Sequence, residues 1–320
     1  MLQHLPVLPL LIPLLAGILL LMPPIATTLR RQQWAGTLFA LLQLGAAASL
    51  LWHVDQHGTL VYAMGGWQPP FGIILVADRM ATLLSVLTAI LLLCVQLFSS
   101  AGEDQQGKFL HPLLMFQALG IQGAFLTGDL FNLFVFFEVL LIASYALLIH
   151  GGGAQKTLAN VHYVTLNLAG SALFLFALGI MYGTFGTLNM ADMQQKAALI
   201  NPNDVRLANA GAMLLLVVFG LKSAMLPLHF WMPRAYSAAP APVAALFAIM
   251  TKVGIYSLWR VHCGIFGDNA GDLANIAQPW LWPLAWLTVV IGIIATLASK
   301  TLRELTANLV IISVGSLLLM

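Results

Sequence analysis

Three ionisable side chains lie far inside apolar stretches of this sequence. Glu138 sits near the middle of "LFNLFVFFEVLLIASYALLI", Leu130 to Ile149. Lys222 and Lys252 occupy similar positions in two later runs. A charge held in mid-bilayer costs on the order of 2.5–3.5 kcal/mol even on mild insertion scales, so such groups face a protein interior or a hydrated cavity and pair where they can. Glu138 and Lys222 are the natural pair, which leaves Lys252 as a lone buried amine. Burial favours a neutral amine and a nearby carboxylate favours the charged one. A lysine whose carboxylate partner can move is therefore a switchable proton carrier, whereas a fixed pair would only hold helices together.

The segment after Lys222 bears on that choice. "LKSAMLPLHFWMPRAYSAAPAPVAALFAIMTKVGIYSLWR" contains Pro227, Pro233, Pro240 and Pro242. Pro227 lies five residues beyond Lys222 and should end or break that helix. Interrupted helices beside buried charge line ion paths in transporters. His229 follows the break. It is either an imidazole that passes protons onward or a packed, hydrogen-bonded side chain.

These charges are carried by a chain that is 60% hydrophobic and only 8% charged, with a mean hydropathy of +0.93. Soluble proteins hold roughly 25% charged residues, so this is an integral membrane protein of all-α polytopic type. Apolar runs predict about ten spanning helices, at residues 5–28, 34–54, 78–100, 111–127, 129–149, 159–183, 208–228, 236–263, 279–298 and 303–320. The first run lacks a basic leader and a small-residue cleavage site, and reads as a spanning helix. The last stops at Met320 inside an apolar run, as if the sequence were cut short. Arg30, Arg31, Lys108, Lys156, Arg234, Lys300 and Arg303 fall in loops on one side, which the positive-inside rule makes cytoplasmic. Asp55, Asp78, Asp129, Asp192, Asp204, Asp268 and Asp272 fall on the other, with the fewer basic residues Arg79, Lys196, Arg206 and Arg260. Between residues 53 and 79, pieces flanking Gly65, Gly66, Pro69 and Pro70 predict a surface hairpin.

Other patterns carry less. "GEDQQGKF" (Gly102–Phe109) begins like a phosphate-binding loop, but Phe109 replaces the magnesium-binding hydroxyl and no strand precedes it, so no nucleotide site is expected. His53 and His57, with Asp55 between them, have the spacing of a metal pair, but they lie at a membrane interface where helicity should end by Gly58, so no metal site is expected. Cys94 and Cys263 have no metal or disulfide spacing and read as free, packed thiols. Scattered basic residues and a net charge of +2 give no nucleic-acid footprint. No redox, cofactor or soluble-enzyme fingerprint is present.

The stretch "LKSAMLPLHFWMPRAYSAAPAPVAALF", with "TKVGIYSLWR" after it, resembles the proton-translocating antiporter family shared by respiratory complex I membrane subunits and Mrp-type cation/proton antiporters. "LTGDLFNLFVFFEVLLIASYALL" (Leu126–Leu148) is most similar to the D-type subunits of the Mrp antiporters. The resemblance covers essentially the whole chain, and departs at Arg234, where the family has an acidic or small residue. It implies that Glu138 pairs with Lys222, the lysine of a broken helix, and that Lys252 is a central relay lysine, with His229 beside the path. It also implies an N-terminal three-helix segment (1–110), a complete first five-helix repeat (111–263) and the start of a second, inverted repeat (264–320). The function implied is a proton-translocating, non-enzymatic subunit of a multisubunit Na+/H+ antiporter in a bacterial inner membrane, partnered by other membrane subunits, protons and monovalent cations, with no cofactor. The metal-cation site cannot be read from these residues. A proton-pumping subunit of an NADH:quinone oxidoreductase or hydrogenase complex is the alternative, and a passive membrane scaffold is a third.

Overall fold

The computed structural model of the protein describes residues 2–320. All ten apolar runs become helices. In chain order they are α1 (Leu8–Leu21), α2 (Leu29–His57), α3 (Arg79–Ser99), α4 (Leu110–Leu126), α5 (Leu130–Leu148), α6 (Ala154–Phe185), α8 (Val205–Ser223), α10 (Ala241–Leu258), α11 (Gln278–Leu297) and α12 (Leu302–Leu318). Two short helices join them, α7 (Met190–Ala197) and α9 (Met232–Ala238). Among the described residues, eight helical stretches are long and apolar enough to cross a membrane. The 17-residue helices α4 and α12 complete the ten.

The chain forms two compact units. The first runs to Thr157 and includes Ala239–Ile249; the second comprises Leu158–Ala238 and Met250–Met320. In the first unit α4 is central and almost wholly buried. It approaches α5 closely because of two glycines: a Cβ at Gly120 would lie 2.5 Å from the Leu140 nitrogen, and one at Gly123 would lie 2.2 Å from the Phe136 ring. Aspartates start two of its helices. Asp78 accepts from the Ala81 amide at 2.8 Å and Asp129 from the Asn132 amide at 2.8 Å, each satisfying a donor that the first helical turn leaves open. The expected hairpin is present as β1 (Leu60–Ala63) and β2 (Ile74–Ala77), antiparallel with Leu60 opposite Ala77.

In the second unit α11 and α12 meet at small residues: a Cβ at Gly315 would lie 2.8 Å from the Val289 nitrogen. Several helix boundaries differ from the sequence expectation (α1 ends at Leu21 rather than 28), and two of the differences fall in the lysine runs. The run 208–228 stops being helical at Ser223, and the run 236–263 is split between α9 and α10. Pro227 and Pro240 account for both, because a proline disfavours helical backbone at the residue before it and cannot donate within a helix. Past Leu258 the chain continues as a π-helical stretch to Ile265.

Candidate functional site

Lys222 lies in the last turn of α8 and is only 4% exposed. Its Nζ donates to the Asn167 carbonyl at 3.2 Å and to Ser171 Oγ at 3.0 Å, both on α6. Gly170 lies between these acceptors in sequence. A Cβ there would sit 2.5 Å from Leu221 Cδ2 and 3.8 Å from Lys222 Cε. The missing side chain is what lets the two helices approach closely enough for the ammonium to reach α6.

The end of α8 is firmly built. Met225 N donates to the Gly220 carbonyl at 2.8 Å and Ala224 N to the Leu221 carbonyl at 3.1 Å, the paired bonds of a Schellman termination. Ala224 takes the left-handed conformation this requires, at φ +59°, a position usually filled by glycine. The Leu221 carbonyl also accepts from Trp231 Nε1 at 3.0 Å, and the Trp231 ring stacks on Tyr163 at 5.2 Å. Beyond the break, Leu226 N donates to Thr288 Oγ1 at 3.1 Å. Backbone freed by the proline thus finds partners, as it must where no water is assured.

Lys252 is half-buried on α10; its Nζ donates to Ser313 Oγ of α12 and lies 3.4 Å from Thr251 Oγ1. His229 stands between the break and α9, half-buried, with Nδ1 lacking a hydrogen-bond partner among the described residues. Glu138 belongs to the first unit, midway along α5. It is half-buried, and its Oε1 is enclosed without a hydrogen-bond partner among the described residues.

Several contributors were not singled out from the sequence. Asn167, Ser171 and Ser313 hold the lysines. His262 is fully enclosed, with Nε2 donating to the Ala212 carbonyl at 3.1 Å and Nδ1 lacking a partner among the described residues. Asn167 contributes a backbone carbonyl, which any residue could supply, and a lone serine in an apolar run does not show which helix it faces.

One expectation needs correction. Cys94 and Cys263 are free thiols, but exposed rather than packed, because each falls on an outward helix face. His53 and His57 stack at 4.3 Å, yet Asp55 pairs with Arg79 at 3.3 Å instead of joining them. Residue i+2 on a helix projects away from the face shared by i and i+4. No group of three potential metal ligands occurs among the described residues. The stretch Gly102–Phe109 forms a short 3-10 turn at Glu103–Gln106 with no preceding strand, as expected of a connecting turn.

Ten apolar helices, a buried ammonium at a built helix break and an enclosed carboxylate oxygen define a polytopic membrane protein organised around internal charge. More narrowly, the chain belongs to the NADH:quinone oxidoreductase/Mrp antiporter transmembrane family, whose model matches residues 127–319. It is 43% identical to the D-type subunit of a probable K(+)/H(+) antiporter of Rhizobium meliloti, over 99% of this chain and 60% of the relative. It is 40% identical to the D-type subunit of a Na(+)/H(+) antiporter of Bacillus subtilis, over 98% of this chain and 62% of the relative. A chain in the structure of the Mrp complex from Dietzia sp. DQ12-45-1b superposes with a TM-score of 0.87 at 27% identity, covering 99% of this chain and 58% of that one. The chain spans about three fifths of the length of these relatives. With its apolar spans and bacterial relatives, it is a multi-pass protein of the bacterial plasma membrane.

Proposed function

We propose that this chain is the proton-translocating subunit of a multisubunit monovalent-cation/proton antiporter, working with other membrane subunits and without enzymatic chemistry of its own. The observation that carries the reading is Lys222, a buried amine that donates to the Asn167 carbonyl and the Ser171 hydroxyl at a helix break. Antiporter subunits of the D type among the relatives support it, and their names give both Na+ and K+ as exchanged cations.

In this reading a proton enters a half-channel and rests on the Lys222 amine. It then passes through water and hydroxyl groups to Lys252, where Ser313 already offers an oxygen. The carboxylate of Glu138 biases the proton affinity of Lys222 as the distance between the two changes. His229, with its open Nδ1, links the break to the basic side. Residues 111–263 act as one five-helix repeat, 1–110 as a flanking segment and 264–320 as the start of an inverted repeat. Moving one charge through 100 mV supplies about 2.3 kcal/mol, enough to drive a cation against a modest gradient without ATP. The family also includes quinone oxidoreductase subunits, so the same relay driven by redox energy from partner subunits is the second reading.

The test uses inverted vesicles holding the intact complex. Cation-dependent dissipation of an imposed ΔpH, with Na+ or K+ as the added ion, should be lost in Lys222→Met at unchanged complex abundance. Wild-type dissipation in that variant would defeat the reading.

A further inference from the structure

A second set of buried ionisable groups lies in the first unit, apart from the lysines and from Glu138. Asp104, in the turn between α3 and α4, is 2% exposed; His111, at the start of α4, is 1% exposed; Gln96, on α3, is fully enclosed. Asp104 Oδ2 accepts from Gln33 Nε2 at 2.7 Å and lies 3.0 Å from His111 Nε2. His111 Nδ1 faces Gln96 Oε1. Both ring nitrogens thus face oxygens that only accept. A neutral imidazole has one N–H, so this arrangement is satisfied only by the imidazolium.

Two polar atoms are left over. Gln96 Nε2 and Asp104 Oδ1 are buried and have no hydrogen-bond partner among the described residues. The idle Gln96 Nε2 has a use. If the amide turns over, its NH2 faces Nδ1 and donates to it, and the neutral ring keeps its single N–H on Nε2 for Asp104. Both ring nitrogens are then hydrogen-bonded in either protonation state. Space for the turn comes from α2: residue 36 is glycine, and a Cβ there would lie 3.1 Å from Gln96 Oε1 and 3.5 Å from its Nε2.

The other ionisable groups around the cluster are few. His150, after α5, acts on His111 electrostatically and places its Nε2 3.2 Å from the Glu103 carbonyl. Lys156 Nζ is engaged by the His150 carbonyl at 2.7 Å. The Glu103 carboxylate accepts from Gln106 at 3.0 Å, Arg31 donates to the Pro24 carbonyl at 3.1 Å, and Lys108 is exposed. Asp104 is therefore the carboxylate that bonds the ring.

We propose that Asp104, His111 and Gln96 form a proton-binding site distinct from the lysine relay, in which His111 takes up and releases one proton while Gln96 reverses its amide. On release the Nδ1–H bond breaks, its electron pair stays on Nδ1, and the proton passes to water at the exposed Gln105–Lys108 turn. Uptake is the reverse. The site needs no assumption about cation exchange, so its test is separable from that of the transport reading.

His111–Pro112 is the one His–Pro pair in the sequence, which allows direct assignment. The full chain, labelled on histidine and proline, is placed in lipid nanodiscs and followed by solid-state NMR of the ring nitrogens. His111 should convert from a doubly protonated ring to the Nε2–H tautomer between about pH 5 and 8. Gln96→Glu, whose carboxylate only accepts, should hold the cation to a proton concentration at least tenfold lower. A ring that keeps one protonation state throughout that range, or a transition unmoved by Gln96→Glu, would overturn the proposal. The wild-type measurement alone suffices if the variant does not fold.

Discussion

The close approach of α10 to the end of α8 can be tested by adding a single methyl group. A Cβ on Gly254 would lie 2.7 Å from Ser223 N, 2.9 Å from Ser223 Cβ and 3.0 Å from Ser223 Cα. These are backbone and near-backbone atoms of a fully buried residue, so they cannot swing aside. Ser223 directly follows Lys222, and the displacement falls on the lysine of the proposed relay. Overpacking of this kind costs about 1–3 kcal/mol. Alanine is also the better helix former, by about 0.5–1 kcal/mol, which masks part of that cost. Gly179 supplies the control: it too is mid-helix in the second unit, and a Cβ there meets nothing within 4 Å. Comparing Gly254→Ala with Gly179→Ala cancels the propensity gain and isolates the clash. In denaturant unfolding of the detergent-solubilised chain, followed by tryptophan fluorescence, Gly254→Ala should be the less stable by about 1–3 kcal/mol. Equal stability of the two variants would refute the packing argument.

Two further outcomes are expected. Ser171→Ala removes one of the oxygens that accept from the Lys222 ammonium, and a hydrogen bond to a charged group contributes about 1.5–3 kcal/mol; vesicle transport should fall by about tenfold or more, with recovery in Ser171→Thr. Cys263 borders a polar cavity of about 150 Å3 with Gln194, Asp268 and Asn269, whereas Cys94 lies in an apolar cleft with Leu91, Val95 and Phe98. A charged, water-soluble maleimide should label Cys263 and spare Cys94, and an apolar maleimide should label both, as read by mass spectrometry.

The ten helices were legible because apolar length alone dictates a span, and the hairpin because glycine and proline punctuate it. Lys222 and its break were legible too, since a charge and a proline both stand out in an apolar run. The oxygens that hold Lys222 were not. Which residues of α6 face α8 depends on helix rotation and on the space left by Gly170, and neither has a one-dimensional signature. The exact last residue of α8 was not legible for a related reason: Pro227 announced the break, but an alanine at positive φ gives no sign of the termination it makes. Asp104 is the sharpest case. It read as part of a solvated turn, yet it is buried, because its partner His111 lies across the start of the next helix and Gln33 reaches it from α2. Glu138 was legible as deep charge, while the lack of a hydrogen-bond partner on its Oε1 among the described residues required the packed structure.

That enclosed carboxylate is the most direct handle on the relay. Glu138→Gln keeps the shape of the side chain and removes its charge. In vesicles carrying the intact complex at wild-type abundance, cation-dependent dissipation of ΔpH should be abolished or nearly so. Dissipation at the wild-type rate would contradict the relay.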